Sequence, residues 1–125
     1  MKEIDFKKKL TKEQYSVLRE KATERPFTGK FYNHKEKGMY TCAACGNKLF
    51  ESNVKFDSGT GWPSFYDAIE GSVKFIEDNS LGMSRTEVIC SKCKSHLGHI
   101  FDDGPKNKTG KRFCINSCSL EFKKK

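Results

Sequence analysis

Two imidazoles, an arginine, a thiol and an amide crowd one short stretch of the chain. It reads His96-Leu-Gly-His99, a polar loop, then Arg112-Phe-Cys114-Ile-Asn116. The second part alternates. If residues 112–116 form a strand, Arg112, Cys114 and Asn116 share one face, and Phe113 and Ile115 take the other. The aromatic and β-branched pair would enter the core, leaving the thiol between a cation and an amide. A neighbouring cation favours the thiolate, the nucleophilic form of cysteine. Histidine is the natural acid–base partner for such a group near neutral pH. The plain alternative is a half-buried strand with a polar outer face and two surface histidines, since free cysteine is often a small buried hydrophobe. The position of Cys114 opposite the apolar pair favours chemistry.

Four further cysteines come in pairs, Cys42-Ala-Ala-Cys45 and Cys90-Ser-Lys-Cys93, separated by residues 46–89. Each pair can present two thiolates to one tetrahedral ion, and together they complete a Cys₄ zinc site. Gly46 suits the tight turn after the first pair. A redox dithiol is the rival, but two pairs without a thioredoxin-like βαβ pattern argue against it. The separation exceeds that of small zinc fingers, so the metal is expected to clamp two distant hairpins. With four thiolates present, His96 and His99 are free for acid–base or substrate-orienting work. Such a site is closed and structural rather than catalytic.

Positioning these groups falls to short elements. Thr11-Lys-Glu-Gln14 fits a capping box, and Tyr15, Leu18 and Ala22 follow at helical spacing, which predicts a helix over 12–23. Pro26 and Gly29 end it. Strands are expected at 38–41, 48–51, 54–56, 72–76, 83–89, 99–101 and 111–117. A Gly/Pro loop spans 57–64, and a helical turn is expected at 64–68. The class is mostly β, with antiparallel sheets and an N-terminal helical segment.

The chain has 125 residues, enough for one domain over 1–125 with one core. It is 35% hydrophobic and 32% charged, so a small core sits under a polar surface. Lys and Arg outnumber Asp and Glu by 24 to 16, giving +8. Much of that excess lies in 7–9, 106–112 and 123–125, and residues 1–10 and 123–125 are expected to be frayed, solubilising tails. No apolar targeting run opens the chain and none later could span a bilayer, so a cytoplasmic protein with reduced thiols is expected. Six cysteines there suggest metal binding or thiol chemistry before disulfides. A zinc-ribbon-like nucleic-acid or protein-binding module is the competing class that the charge permits. Against it, the aromatics do not interleave with a basic stripe, and Cys114 sits beside acid–base residues.

Taken together, Arg-Pro-Phe-Thr-Gly (25–29), Ser-Gly-Thr-Gly-Trp-Pro-Ser-Phe (58–65), both cysteine pairs, His-Leu-Gly-His and Arg-Phe-Cys-Ile-Asn-Ser (112–117) closely resemble the zinc-containing methionine-(R)-sulfoxide reductases, the MsrB family. The resemblance covers about 11–122. It implies two small antiparallel β-sheets, with the active site on one and a single structural Zn²⁺ on the opposite side. It implies reduction of the R epimer of methionine sulfoxide in oxidised proteins or peptides, a protein repair activity in the oxidative stress response, with free methionine sulfoxide left open as a second substrate.

By that resemblance Cys114 attacks the sulfoxide sulfur and becomes a sulfenic acid. His96, His99 and Asn116 bind and protonate the oxygen, while Arg112, positioned by Asp103, supports the thiolate. Trp62 cradles the S-methyl group, and Phe65 joins it as substrate-binding. A thioether methyl packs well on an indole face. Many relatives carry a resolving cysteine where this chain has Thr60. Cys118 is the only other thiol outside the zinc set, but four residues of strand span roughly 13 Å, beyond disulfide reach. A thioredoxin-like protein or a small thiol is therefore the expected reductant, unless a turn at Ser117 shortens the gap. Neither nucleic acid nor membrane is an expected partner, and the chain is expected to be a monomer.

Overall fold

The structure is a computed structural model that describes residues 3–79, 82 and 84–124. Two helices lead: α1 (Glu3–Lys9) and α2 (Lys12–Glu20). Among the described residues nine strands follow: β1 (Gly38–Cys42), β2 (Lys48–Glu51), β3 (Lys55–Phe56), β4 (Ser64–Phe65), β5 (Val73–Asp78), β6 (Arg85–Cys90), β7 (His96–Phe101), β8 (Arg112–Ile115) and β9 (Leu120–Lys124). They form two antiparallel sheets. One is three-stranded, in the order β2-β1-β9, and the other six-stranded, β3-β4-β8-β7-β6-β5. The mostly β class and the two sheets are as expected.

Helix α2 begins at the expected capping box, with Thr11 and Gln14 each bonded to the other's backbone N–H. It stops at Glu20, short of the expected end at 23, because Lys21 turns left-handed at φ 60° and its N–H closes on the Ser16 carbonyl.

The expected frayed N-terminal tail is corrected. Within 1–10, residues 3–9 are helical, and Phe6 and Leu10 are buried. Two cations pin these helices to the cysteine pairs: Lys9 Nζ donates to the Ala44 carbonyl, and Arg19 donates to the Cys93 carbonyl. The Arg19 guanidinium also lies 4.1 Å over the Phe6 ring. Lys123 and Lys124 likewise belong to β9, paired with Met39 and Gly38, rather than to a frayed end. Residues 1, 2 and 125 lie outside the described residues, as does Met83, where a strand was expected to begin.

The core lies between the sheets. Phe50 stacks on Phe65 at 4.3 Å, while Tyr40 and Phe113 pack edge-on to that pair. Leu97, Ile115, Leu49 and Val88 belong to the same buried cluster. The helical turn expected at 64–68 is a correction too. Ser64 and Phe65 are strand, paired to β3 on one side and β8 on the other. Past Ile115 the chain leaves the larger sheet, makes a 3₁₀ turn at Ser117–Ser119, and enters the smaller sheet as β9.

Candidate active site

Alternation along β8 works as expected. Phe113 and Ile115 are buried, while Arg112 and Cys114 are half-buried on the other face. The register lines up one row across the larger sheet. Glu87 pairs with His99, His99 with Cys114, Cys114 with Ser64, and Ser64 with Phe56. Directly opposed residues carry Cβ atoms about 5 Å apart, so an imidazole and a hydroxyl flank the thiol. Gly98 brings β7 close at this point, because a Cβ there would lie 2.0 Å from the Cys114 carbonyl oxygen.

Both histidines are backed by carboxylates. His99 Nε2 bonds Asp78 Oδ2 at 2.8 Å, and His96 Nδ1 bonds Glu87 Oε2 at 2.7 Å. The two rings sit 5.5 Å apart, edge to face. These bonds leave His99 Nδ1 and His96 Nε2 as the ring nitrogens available for a substrate. A carboxylate behind an imidazole fixes its orientation and stabilises its protonated form. His96 is 3% exposed, and its burial outweighs Glu87, so its pKa falls below the ordinary 6.5.

Asp78 and Glu87 were missed in the sequence. Glu87 stands out only as a carboxylate in the otherwise apolar run Glu-Val-Ile-Cys. Its second oxygen takes Lys21 Nζ at 3.0 Å, and Arg85 lies 3.4 Å from Asp78 Oδ2.

Arg112 sits where the alternation puts it. Its Nε donates to Asp103 Oδ1 at 2.8 Å, a second nitrogen reaches Oδ2 at 3.2 Å, and the guanidinium covers Phe101 at 4.4 Å. Asp103 thus orients Arg112 beside Cys114. At rest the cation does not win. Burial pushes the Cys114 thiol above the ordinary 9.0, against the opposing pull of Arg112 and the Thr60 hydroxyl.

The loop before β4 supplies the opposite wall. Ser64 Oγ donates to the Trp62 carbonyl, and the Ile115 N–H donates to the Pro63 carbonyl. Residues 62–64 thus run alongside 114–115. The Trp62 indole is half-buried and donates to the Glu24 carbonyl at 3.0 Å. Thr60 joins Ser58 and Ser64 in a hydroxyl chain with links of 2.8 and 2.6 Å.

Phe65 does not join Trp62. It is fully buried and stacked on Phe50, because alternation sends Ser64 toward Cys114 and its neighbour into the core. Asn116 is buried, with its amide donating to the Leu97 carbonyl and accepting from the Glu24 N–H. Cys118 lies in the 3₁₀ turn, its N–H held by Glu24 Oε1 at 3.0 Å. Burial first, and Glu24 next, push its thiol well above the ordinary range.

The four paired cysteines meet. Cys42 ends β1 and Cys90 ends β6, so the pairs belong to different sheets. Their sulfurs all lie within 4.8 Å of one another, with Cys42–Cys93 at 3.7 Å and Cys45–Cys90 at 3.6 Å. Zn–S bonds of 2.3 Å in a tetrahedron put sulfurs about 3.8 Å apart. The cluster therefore fits a structural zinc ion.

Both pairs use one turn. Gly46 N–H donates to the Cys42 carbonyl, and Lys94 N–H donates to the Cys90 carbonyl. Gly46 and Lys94 are both left-handed, at φ 82° and 65°.

The model of the SelR domain matches residues 10–124. The chain belongs to the SelR family, that of the MsrB methionine sulfoxide reductases. It is 64% identical over 122 residues to a Methanosarcina barkeri protein named peptide methionine sulfoxide reductase MsrB, covering 97% of this chain and 85% of that one. The Leptospira interrogans protein of the same name is 57% identical, over 96% of this chain and 92% of its own length. The mouse mitochondrial methionine-R-sulfoxide reductase B3 is 54% identical over 94% of this chain and 47% of its own length. No described helix is long and apolar enough to cross a membrane. The thiol and the carboxylate-backed histidines of this MsrB chain lie on the neighbouring strands β8 and β7 of the larger sheet, and the tryptophan loop leads into β4 beside them.

Proposed function

We propose that this chain reduces the R epimer of methionine sulfoxide in oxidised proteins and peptides, with Cys114 as nucleophile. The observation that carries the reading is the pairing of Cys114 with His99 across β7 and β8, with Asp78 behind the imidazole. The R preference draws support from the mouse relative's name and from the rule that one enzyme type serves each sulfoxide epimer.

The substrate methyl rests on Trp62, which presents the sulfoxide sulfur to Cys114. A sulfoxide oxygen leaves poorly until protonated, so His99 donates to it while His96 helps orient it. Asn116 holds the end of β8 against β7. The Cys114 sulfur attacks the sulfoxide sulfur to form a sulfur–sulfur bond, and its proton replaces the one His99 has given to the oxygen, while Arg112 favours the thiolate during attack. The hydroxyl then moves from the substrate sulfur to the Cys114 sulfur as the sulfur–sulfur and substrate sulfur–oxygen bonds break, so methionine leaves and Cys114 is left as a sulfenic acid. Thiol plus sulfoxide thus gives sulfenic acid plus thioether, with two electrons passing from Cys114 to the substrate.

An external thiol then attacks the sulfenic sulfur, releasing water and forming a mixed disulfide that a second thiol resolves. A thioredoxin-like protein or a small thiol fits that role. Cys118 lies in the turn at Ser117–Ser119 rather than on the strand of Cys114, with its N–H held by Glu24, and an external donor is the simpler reading.

Cys42, Cys45, Cys90 and Cys93 would hold one Zn²⁺, which supplies folding stability when bound and no chemistry. A cytoplasmic monomer acting as one domain fits this reading, since Cys114 and the metal thiolates need reducing conditions. Incubation with separated R and S epimers of a methionine sulfoxide peptide and excess dithiol tests it. Consumption of the R form alone is expected, and turnover of the S form would contradict the assignment.

A further inference from the structure

Glu24 follows α2, and its atoms face three parts of the site. Its N–H donates to Asn116 Oδ1 at 3.1 Å, and its carbonyl accepts from the Trp62 indole at 3.0 Å. Its Oε1 accepts the Cys118 N–H at 3.0 Å. The residue is 9% exposed, and Oε2 is enclosed with no hydrogen-bond partner among the described residues. The fit around the carboxylate is tight. A Cβ at Gly29 would lie 2.6 Å from Oε2 and 2.1 Å from Ser117 Oγ. One residue thus joins the tryptophan loop, the end of the catalytic strand and the 3₁₀ turn after it. Its side chain is a pin, and its main chain is the clamp that the pin holds.

We propose that Glu24 is a positioning residue for the reaction: its carboxylate, seated on the Cys118 N–H, fixes the main chain that holds Trp62 and Asn116 in place. The proposal rests on the reading of Trp62 as the wall against which the substrate methyl packs. Glu24 itself touches no reacting atom. Its effect reaches the substrate through the angle of one indole and the seating of one amide. Small misplacements of such groups are costly, since an error of 1 Å in a positioned site lowers rates by as much as about 10².

Trp62 is the chain's single tryptophan, so intrinsic fluorescence reports its surroundings without any turnover. Glu24→Asp draws the carboxylate back from the Cys118 N–H, and Glu24→Ala removes it. Both should shift Trp62 emission to the red and open it to acrylamide quenching. In both, KM for the R sulfoxide should rise about tenfold while kcat changes less than about threefold. Glu24→Gln keeps the Oε1 acceptor and alters only the unpaired oxygen. It should restore both the emission and KM to within about twofold of the parent.

Parent-like emission and KM in the aspartate variant would overturn the proposal. So would a glutamine variant as impaired as alanine, because the charge rather than the seating would then be at work. If the alanine variant does not fold, the aspartate and glutamine variants decide. A parent that turned over no sulfoxide would count against the assigned reaction, while the emission series would still read the clamp.

Discussion

His99 and Cys114 are direct register partners on β7 and β8, and Asp78 holds the far nitrogen of the imidazole at 2.8 Å. The proposed acid and nucleophile are therefore set by sheet geometry rather than by a loop. Rigid elements hold reacting groups more tightly than loops do. The carboxylate comes from β5, two strands beyond β7, so the arrangement exists only once the sheet is assembled.

Removing the proposed acid should slow the first step. His99→Ala is expected to reduce the rate of sulfenic acid formation by about 10²–10⁴ in single-turnover mixing. Formation at the parent rate, with failure only in recycling, would assign His99 elsewhere.

His96 makes stability depend on pH. Its folded pKa lies below 6.5, so below that value the unfolded chain binds a proton that the folded chain resists. The contribution is complete above pH 6.5 and is lost as pH falls, with a limiting slope of about 1.4 kcal/mol per pH unit. Urea unfolding at pH 7.5 and 5.5 should show the parent losing more stability than His96→Gln. An equal loss in both proteins would mean that His96 does not carry this dependence.

The cysteine cluster joins the two sheets, so metal loss should be a folding event rather than a catalytic one. One zinc per chain is expected by elemental analysis. Cys90→Ser, or prolonged chelation, should abolish cooperative thermal unfolding. Folded, active protein without metal would contradict this.

Helix α1 should be part of the fold. Phe6→Ala removes a buried ring that packs under Arg19 and is expected to cost about 3–5 kcal/mol. A change under 1 kcal/mol in chemical unfolding would return residues 3–9 to the status of a tail.

How much of this could be read from residues alone depended on whether a neighbour in sequence or in space set the outcome. Thr11 and Gln14 signal a helix start because both partners lie within one turn. The alternation at 112–116 places Cys114 correctly because a strand's two faces are a local property. The clustering of Cys42, Cys45, Cys90 and Cys93 follows from ligand chemistry. Asp78, Glu87 and Glu24 were illegible because their partners arrive through pairings across distant strands and loops. Phe65 was misassigned because a two-residue strand carries too little alternation to show its face, which only pairing with β8 decides. In α1 the lysine run at 7–9 masked Phe6 and Leu10, whose partners are the second helix and the cysteine turns.

Whether Cys114 takes the sulfoxide oxygen is decided by single-turnover reaction of the reduced protein with the R sulfoxide, quenched with a sulfenic-acid trap and mapped by mass spectrometry. The parent should release one methionine per chain and carry the label on Cys114, while Cys114→Ser should fold normally, release none and carry none. Methionine released by the serine variant, or a first label on Cys118, would contradict the account.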